Sequence, residues 1–190
     1  MEKLYPAVIT ADNDYMARAE WGGLNAFGVG FLVADGKMAL SKSQLGVHAN
    51  SANEALPIAF ANFHQANTRI DFEEIAGGVY SVSISAKLPL PKACVTALIT
   101  VRWFHQAVES RLMLGDTYYL AIPNSKTLLI GKSKAAVFEA ADYHAEKRDR
   151  GSMGLPVIRA RRLVRRDGGD KARYRLKEEH RVEESLSAAH

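Results

Sequence analysis

The chain has 190 residues, of which 47% are apolar, 8% aromatic and 24% charged. This composition is typical of a globular protein and excludes a collagen-like or wholly disordered chain. The single cysteine, Cys94, excludes an internal disulfide and a zinc site built on several cysteines. No metal or other cofactor is expected, because the six histidines form no His-Glu-x-x-His pattern and no close pair.

Charge is distributed unevenly along the chain. Residues 147–177 include twelve Lys or Arg and three Asp, a net charge of +9, whereas the whole chain carries only +4. A basic segment on a mildly acidic body is the main polarity of the molecule and favours attraction to an acidic partner.

The sequence shows no targeting or membrane segment. Residues 1–6 contain charges and a proline where a secretory signal needs an apolar core. The longest uncharged stretch, residues 21–34, has four glycines and is shorter than the roughly 20 apolar residues of a membrane span. We therefore expect a cytoplasmic protein with no membrane partner.

The N-terminal half predicts a hairpin, a helix and a strand. Asp35-Gly36 between the apolar residues 27–34 and residues 37–41 is typical of a hairpin turn. Ser51 and Glu54 have capping-box spacing and predict a helix to about residue 66. Residues 79–85 alternate between apolar and small polar side chains, as in a half-buried strand.

The middle of the chain predicts a central helix, a second hairpin and a third helix. Pro91 suits a first helical turn, and Cys94, Leu98 and Val101 begin a wide apolar face that continues to residue 108. Residues 117–122 and 126–130 flank a Pro-Asn-Ser turn and predict a hairpin. Ser133 can cap a helix to about residue 146.

The basic segment predicts a third hairpin, formed by residues 156–166 and 171–177 around Asp167-Gly168-Gly169-Asp170. In its second arm Tyr174 and Leu176 fall on one face and the cationic residues on the other. These elements predict a single α+β domain over residues 1–177, with about six strands in antiparallel hairpins and about three helices. Residues 178–190 are polar and predict a flexible tail.

In this order the elements resemble the YtpQ-like family of uncharacterised bacterial proteins over residues 24–176. The resemblance is carried by Tyr-Leu-Ala-Ile-Pro-Asn at residues 119–124, by Leu-Leu-Ile at 128–130 and by Val-Arg-Arg-Asp-Gly at 164–168. It also includes the capped helix with Ala59 and Asn62 and the Gly115-Asp116 pair. The family implies an α+β fold of alternating hairpins and helices, and it implies no activity or residue roles.

The third hairpin is the candidate binding site. Alternation predicts a cationic face on a two-stranded ribbon, to which Arg162 and Arg166 would be added by a bulge in the first strand. A structural alternative is that these charges solvate a sheet edge and discourage aggregation. The candidate residues are Arg159, Arg161, Arg162, Arg165, Arg166, Lys171, Arg173, Arg175 and Lys177.

Three functional hypotheses follow from these patterns. The favoured one is a non-enzymatic interaction module, such as an adaptor, an immunity-type protein or a phage or mobile-element inhibitor, that binds an acidic protein surface through the basic hairpin. The second is direct binding of nucleic acid by the same hairpin. The third is an enzyme that uses Cys94, placed near a helix N-terminus that would lower its pKa. Against the third, Cys94 falls on an apolar face and no catalytic partner is evident, so no catalytic residue is predicted.

Overall fold

A computed structural model describes residues 3–12, 15–21, 24–34, 39–66, 68–148, 157–163 and 173–179. Within these ranges the chain forms nine strands in two antiparallel sheets, together with five α-helices. The predicted α+β class is therefore confirmed, with more strands and helices than the sequence indicates. No helix in these ranges is long and apolar enough to cross a membrane.

The smaller sheet has three strands in the order β1-β3-β2. Strand β3 pairs with β1 and β2. Residues 39–41, the described part of its predicted partner, form no strand: the Leu40 N–H donates to the Phe31 carbonyl at 2.8 Å, and Ser41 forms an isolated bridge to Met16. Residues 35–38 lie outside the described ranges. Because β1 is an edge strand, its proline can be accommodated in the sheet. The strands are β1 (Leu4–Thr10), β2 (Arg18–Trp21) and β3 (Leu24–Val33).

The larger sheet has six strands in the order β4-β5-β7-β6-β8-β9, and every neighbouring pair is antiparallel. It contains the predicted strand at 79–85 and the second and third predicted hairpins. Its last strand continues to Glu179, two residues into the predicted tail. The strands are β4 (Arg69–Ala76), β5 (Val79–Ser85), β6 (Thr117–Asn124), β7 (Thr127–Gly131), β8 (Val157–Leu163) and β9 (Arg173–Glu179).

The predicted central helix is interrupted. Leu98–Thr100 form a 3-10 turn and Val101 is extended, with φ −102° and ψ 120°. A continuous helix would pair the Ile99 carbonyl with the N–H of Trp103, but this carbonyl accepts a hydrogen bond from His105 Nε2 at 2.7 Å. The helices are α1 (Lys42–Leu45), α2 (Ala52–Gln65), α3 (Cys94–Ala97), α4 (Arg102–Leu112) and α5 (Lys134–Arg148).

The two sheets share one hydrophobic core. One face of the small sheet, helices α3 and α4, and one face of the large sheet contribute buried side chains to it, among them Phe27, Phe104 and Ile158. Helix α2 covers the other face of the small sheet, where Ala55 and Ala59 are fully buried. Helix α5 covers the other face of the large sheet through Val137.

The Ser51 cap is expected to contribute about 1 kcal/mol to the free energy of unfolding. Its hydroxyl accepts a hydrogen bond from the Glu54 N–H at 3.2 Å, while the Glu54 carboxylate accepts from the Asn50 N–H, also at 3.2 Å. The Ser51→Ala variant should therefore unfold at lower urea concentration, and Ser51→Asp should retain the cap. Equal midpoints for Ser51→Ala and the parent chain would contradict this role.

Candidate interaction surface

Strands β8 and β9 place five cationic side chains on one face of the sheet. Their register pairs Arg159 with Lys177 and Arg161 with Arg175, and it pairs Leu163 with Arg173. Directly opposed residues of an antiparallel pair point to the same face, so the predicted alternation holds here. We call this set the cationic stripe: Arg159, Arg161, Arg173, Arg175 and Lys177.

The opposite face of the same two strands is part of the core. Ile158, Ala160 and Leu176 point there and are buried. The stripe is therefore held on a strand pair whose rear surface is fixed by apolar packing. Because the side chains lie on a packed sheet rather than a loop, their spacing is set by the backbone.

Most of the stripe is exposed and carries no ion pair among the described residues. Arg161, Arg173, Arg175 and Lys177 are exposed. Arg159 is the exception, because its Nε lies 3.1 Å from Glu179 Oε1. The stripe thus presents four positive charges that form no salt bridge with a described acidic side chain.

Glu179 anchors one end of the stripe. Its carboxylate also accepts a hydrogen bond from Lys134 Nζ of α5 at 3.1 Å. Partial burial raises the pKa of Glu179, but the Lys134 hydrogen bond and the charges of Arg159, Lys134 and Lys177 outweigh this and lower it. Glu179 is therefore charged at neutral pH and links β9 to α5.

Arg162, one of the predicted site residues, does not share the face of the stripe. The pairing of β8 with β9 contains no bulge, so Arg162 lies opposite Tyr174 on the other face. Its Nε is 3.7 Å from Glu109 Oε1 on helix α4. The predicted residues Arg165, Arg166 and Lys171 lie outside the described ranges.

A polar cluster lies beneath the hairpin on the core side. The imidazole of His105 stacks on Tyr174 with ring centroids 4.6 Å apart, and its Nδ1 is 2.5 Å from the Tyr118 hydroxyl. Burial lowers the pKa of His105 to about 4, against the smaller opposing effect of its bond to the Ile99 carbonyl. His105 is therefore a neutral, hydrogen-bonded core residue.

The same burial acts on the tyrosine of β9. Burial and the neighbouring Glu109 carboxylate together raise the pKa of Tyr174 to about 12, against the smaller opposing effect of Arg162 and Arg102. Tyr174 thus stays protonated at neutral pH, and it fixes the inner face of β9 against helix α4.

The thiol of Cys94 is enclosed by the core. Cys94 is fully buried at the start of α3. Burial raises the pKa of the thiol to about 12, while its backbone hydrogen bond lowers it only slightly. A thiolate nucleophile is therefore disfavoured at neutral pH, in accord with the packing role of cysteine. Within the described ranges, no group of three His, Cys, Asp or Glu could hold a metal ion.

The large sheet also has an acidic edge. Strand β4, at the opposite edge of the large sheet, carries Asp71 and Glu73 on the same face as the stripe. Ile70 and Phe72 alternate with polar residues, but the adjacent Glu73 and Glu74 make the segment look unlike a strand, and its place in the sheet depends on pairing with distant residues. The strand order shows that the acidic strand β4 and the basic strand β9 are the two edges of one sheet.

Comparison with known proteins gives no relative. No family model, no curated protein and no solved structure matches the chain. The resemblance to the YtpQ-like family therefore stays a prediction.

Proposed function

We propose that the chain is a non-enzymatic interaction module that binds an acidic surface of a partner protein through the cationic stripe. The observation that carries the proposal is the common face of Arg161, Arg173, Arg175 and Lys177, exposed and unpaired among the described residues. Unpaired positive charge raises the rate of encounter with an acidic surface and selects against basic ones.

The composition of the stripe favours protein over nucleic acid as the partner. Leu163 lies beside Arg173 on the same face and is 41% exposed. An apolar side chain among arginines is typical of a protein interface, where arginine is also enriched. The described stripe has no amide or exposed aromatic side chain with which to read or stack bases. An adaptor, an immunity-type protein and an inhibitor are all roles that such a binder could fill.

The test is binding of fluorescent poly-L-glutamate, measured by anisotropy at low and physiological salt. We expect Arg161→Glu/Arg175→Glu to weaken binding by about tenfold or more, equivalent to about 1.4 kcal/mol. The matched control is Lys42→Glu/Lys126→Glu, which makes the same change in charge at two exposed positions away from the stripe. The control should bind like the parent chain.

Two results would overturn the proposal. One is equal loss of binding in the stripe variant and in the control, which would mean that net charge, and not the position of the stripe, determines binding. The other is binding to duplex DNA or RNA with a steep salt dependence, accompanied by no binding to poly-L-glutamate. Counterion release from phosphates would then identify nucleic acid as the partner.

A further inference from the structure

The two edges of the large sheet carry opposite charges. At one edge, β9 presents Arg173, Arg175 and Lys177 on the face that α5 covers. At the other edge, β4 presents Asp71 and Glu73 on that same face, together with Arg69, whose Nε lies 3.3 Å from Asp71 Oδ1. Charges that only protect edges from aggregation would serve equally well with one sign, which repels copies of the chain. Opposite signs make the two edges attract each other.

The geometry of the sheet allows these edges to pair. Its six strands are antiparallel throughout, so β4 and β9 run in opposite directions. In the described part of the chain no strand pairs with the outer side of either one. A second copy placed beside the first would therefore set its β4 antiparallel to β9, with the α5-covered faces continuous.

One register gives complementary pairs at three successive positions on this face. If Glu73 of one copy lies opposite Arg175 of the other, Asp71 lies opposite Lys177 and Arg69 lies opposite Glu179. Directly opposed unlike charges stabilise an antiparallel pair. Glu73 and Arg175 form no other salt bridge among the described residues, whereas Asp71 already contacts Arg69, and Glu179 already contacts Arg159 and Lys134. The Glu73–Arg175 pair is therefore the central one in this register. On the other face, the same register places Phe72 opposite Leu176, which is an apolar pair.

The symmetric alternatives either oppose like charges or leave the cationic stripe without a partner. Pairing β9 with β9 of a second copy around Arg175 brings arginine and lysine side chains together. Pairing β4 with β4 around Asp71 opposes the two Asp71 carboxylates, and although Arg69 of each copy then faces Glu73 of the other, the stripe stays unpaired. Contact between unlike edges pairs the stripe and leaves one free edge of each kind. Contacts of this type continue into rings or open chains rather than closing as a dimer.

We propose that the acidic partner of the cationic stripe is strand β4 of a second copy, added edge to edge onto β9 to extend the six-stranded sheet. This inference rests on the proposed function, because it uses the same stripe and names its partner. It makes the protein a self-assembling unit whose assembly depends on concentration and weakens with salt.

Charge exchange between the edges tests this register. Sedimentation of the parent chain should show a mass that rises from 20.9 kDa as concentration increases. Glu73→Arg alone sets two arginines opposite each other at this junction, and Arg175→Glu alone sets two glutamates opposite each other, so each variant should remain monomeric. In an equimolar mixture, the unchanged β9 of Glu73→Arg can pair with the unchanged β4 of Arg175→Glu, and the altered β4 of the first can pair with the altered β9 of the second. Unlike charges are then opposed at every junction, so the assembly should recover. Glu20→Arg, an exposed position on β2, is the charge-matched control and should assemble like the parent chain.

A second exchange guards against misfolding of one variant. Asp71→Lys and Lys177→Asp lie opposite each other in the same register and should behave as the first pair does, with circular dichroism confirming that all variants fold. A parent chain that stays monomeric up to about 1 mM, or a mixture that does not recover, would overturn the inference. Poly-L-glutamate binding by the parent chain separates the two proposals: its retention leaves the proposed function standing, and its loss removes both.

Discussion

Acidification from about pH 6.5 to about pH 4 is expected to lower the free energy of unfolding by about 3 kcal/mol through His105 alone. The imidazole is buried, and burial lowers its pKa to about 4 from an ordinary value of 6.5. Between these two pH values the unfolded chain binds a proton that the folded chain does not. Stability therefore rises with pH across this window, and below pH 4 both states are protonated and the loss is complete.

The contacts of the ring explain why the neutral form is selected. The Ile99 carbonyl can only accept, so His105 Nε2 carries the hydrogen. Nδ1 is then the acceptor and takes the hydrogen of the Tyr118 hydroxyl. Protonation of Nδ1 would require the Tyr118 hydroxyl to turn and accept a hydrogen bond where it now donates one, in a site where burial already disfavours charge.

The measurement is urea unfolding of the parent chain and His105→Gln at several pH values from 7 to 4. The variant should be less stable at pH 7, because it loses the stack and the paired ring nitrogens, but its stability should depend much less on pH above 4.5. Glu179, whose pKa is lowered, contributes its own loss only as pH falls below about 4.5. The exposed His64→Gln is the control and should keep the slope of the parent chain. Identical slopes for His105→Gln and the parent chain would contradict the assignment.

Local patterns were sufficient where an element is determined by its own residues. The alternation of residues 173–177 predicts which side chains of β9 face the core, and the register of the hairpin agrees. Ser51 and Ser133 mark the starts of α2 and α5, where each hydroxyl accepts a backbone N–H. Turn and cap chemistry acts over a few residues, so one sequence is enough to detect it.

Elements that depend on distant contacts could not be predicted. Strand β1 contains a proline and β4 contains adjacent glutamates, so both look unlike strands until their edge positions in the sheets are known. The break before α4 depends on the imidazole of His105 reaching the Ile99 carbonyl, which no periodicity indicates. In each case the tertiary environment overrides the local preference.

The candidate site likewise has one part that local patterns predict and one part that depends on distant contacts. The alternation of the sequence assigns the stripe residues of β8 and β9 to one face. Placing Arg162 on the other face requires knowing that β8 pairs with β9 without a bulge. The acidic edge at Asp71 and Glu73 becomes relevant only through the order of six strands. Sequence thus predicts the positive half of the surface, and topology supplies the negative half.

Thr96→Val is expected to destabilise the fold by about 1–3 kcal/mol, since it leaves a buried N–H without an acceptor. Thr96 is fully buried, and its Oγ1 accepts from the Val8 N–H of β1 at 2.9 Å. The same hydroxyl donates to the Ala93 carbonyl at 2.7 Å. One oxygen therefore satisfies a backbone group on the edge of the small sheet and ties that sheet to α3.

In urea unfolding, two further variants distinguish the loss of the Val8–Thr96 hydrogen bond from the general effect of replacing a threonine by valine. Thr96→Ser keeps the oxygen and removes one methyl group, so it should recover most of the lost stability. Thr100→Val removes the equivalent bond to the Ala97 carbonyl, 2.8 Å long, from a half-buried position. Because Thr100 accepts no bond from the small sheet among the described contacts, its replacement should cost less than that of Thr96. Equal losses for the two valine variants would mean that the Val8 N–H finds another partner, and that the shared apolar core alone joins the two sheets.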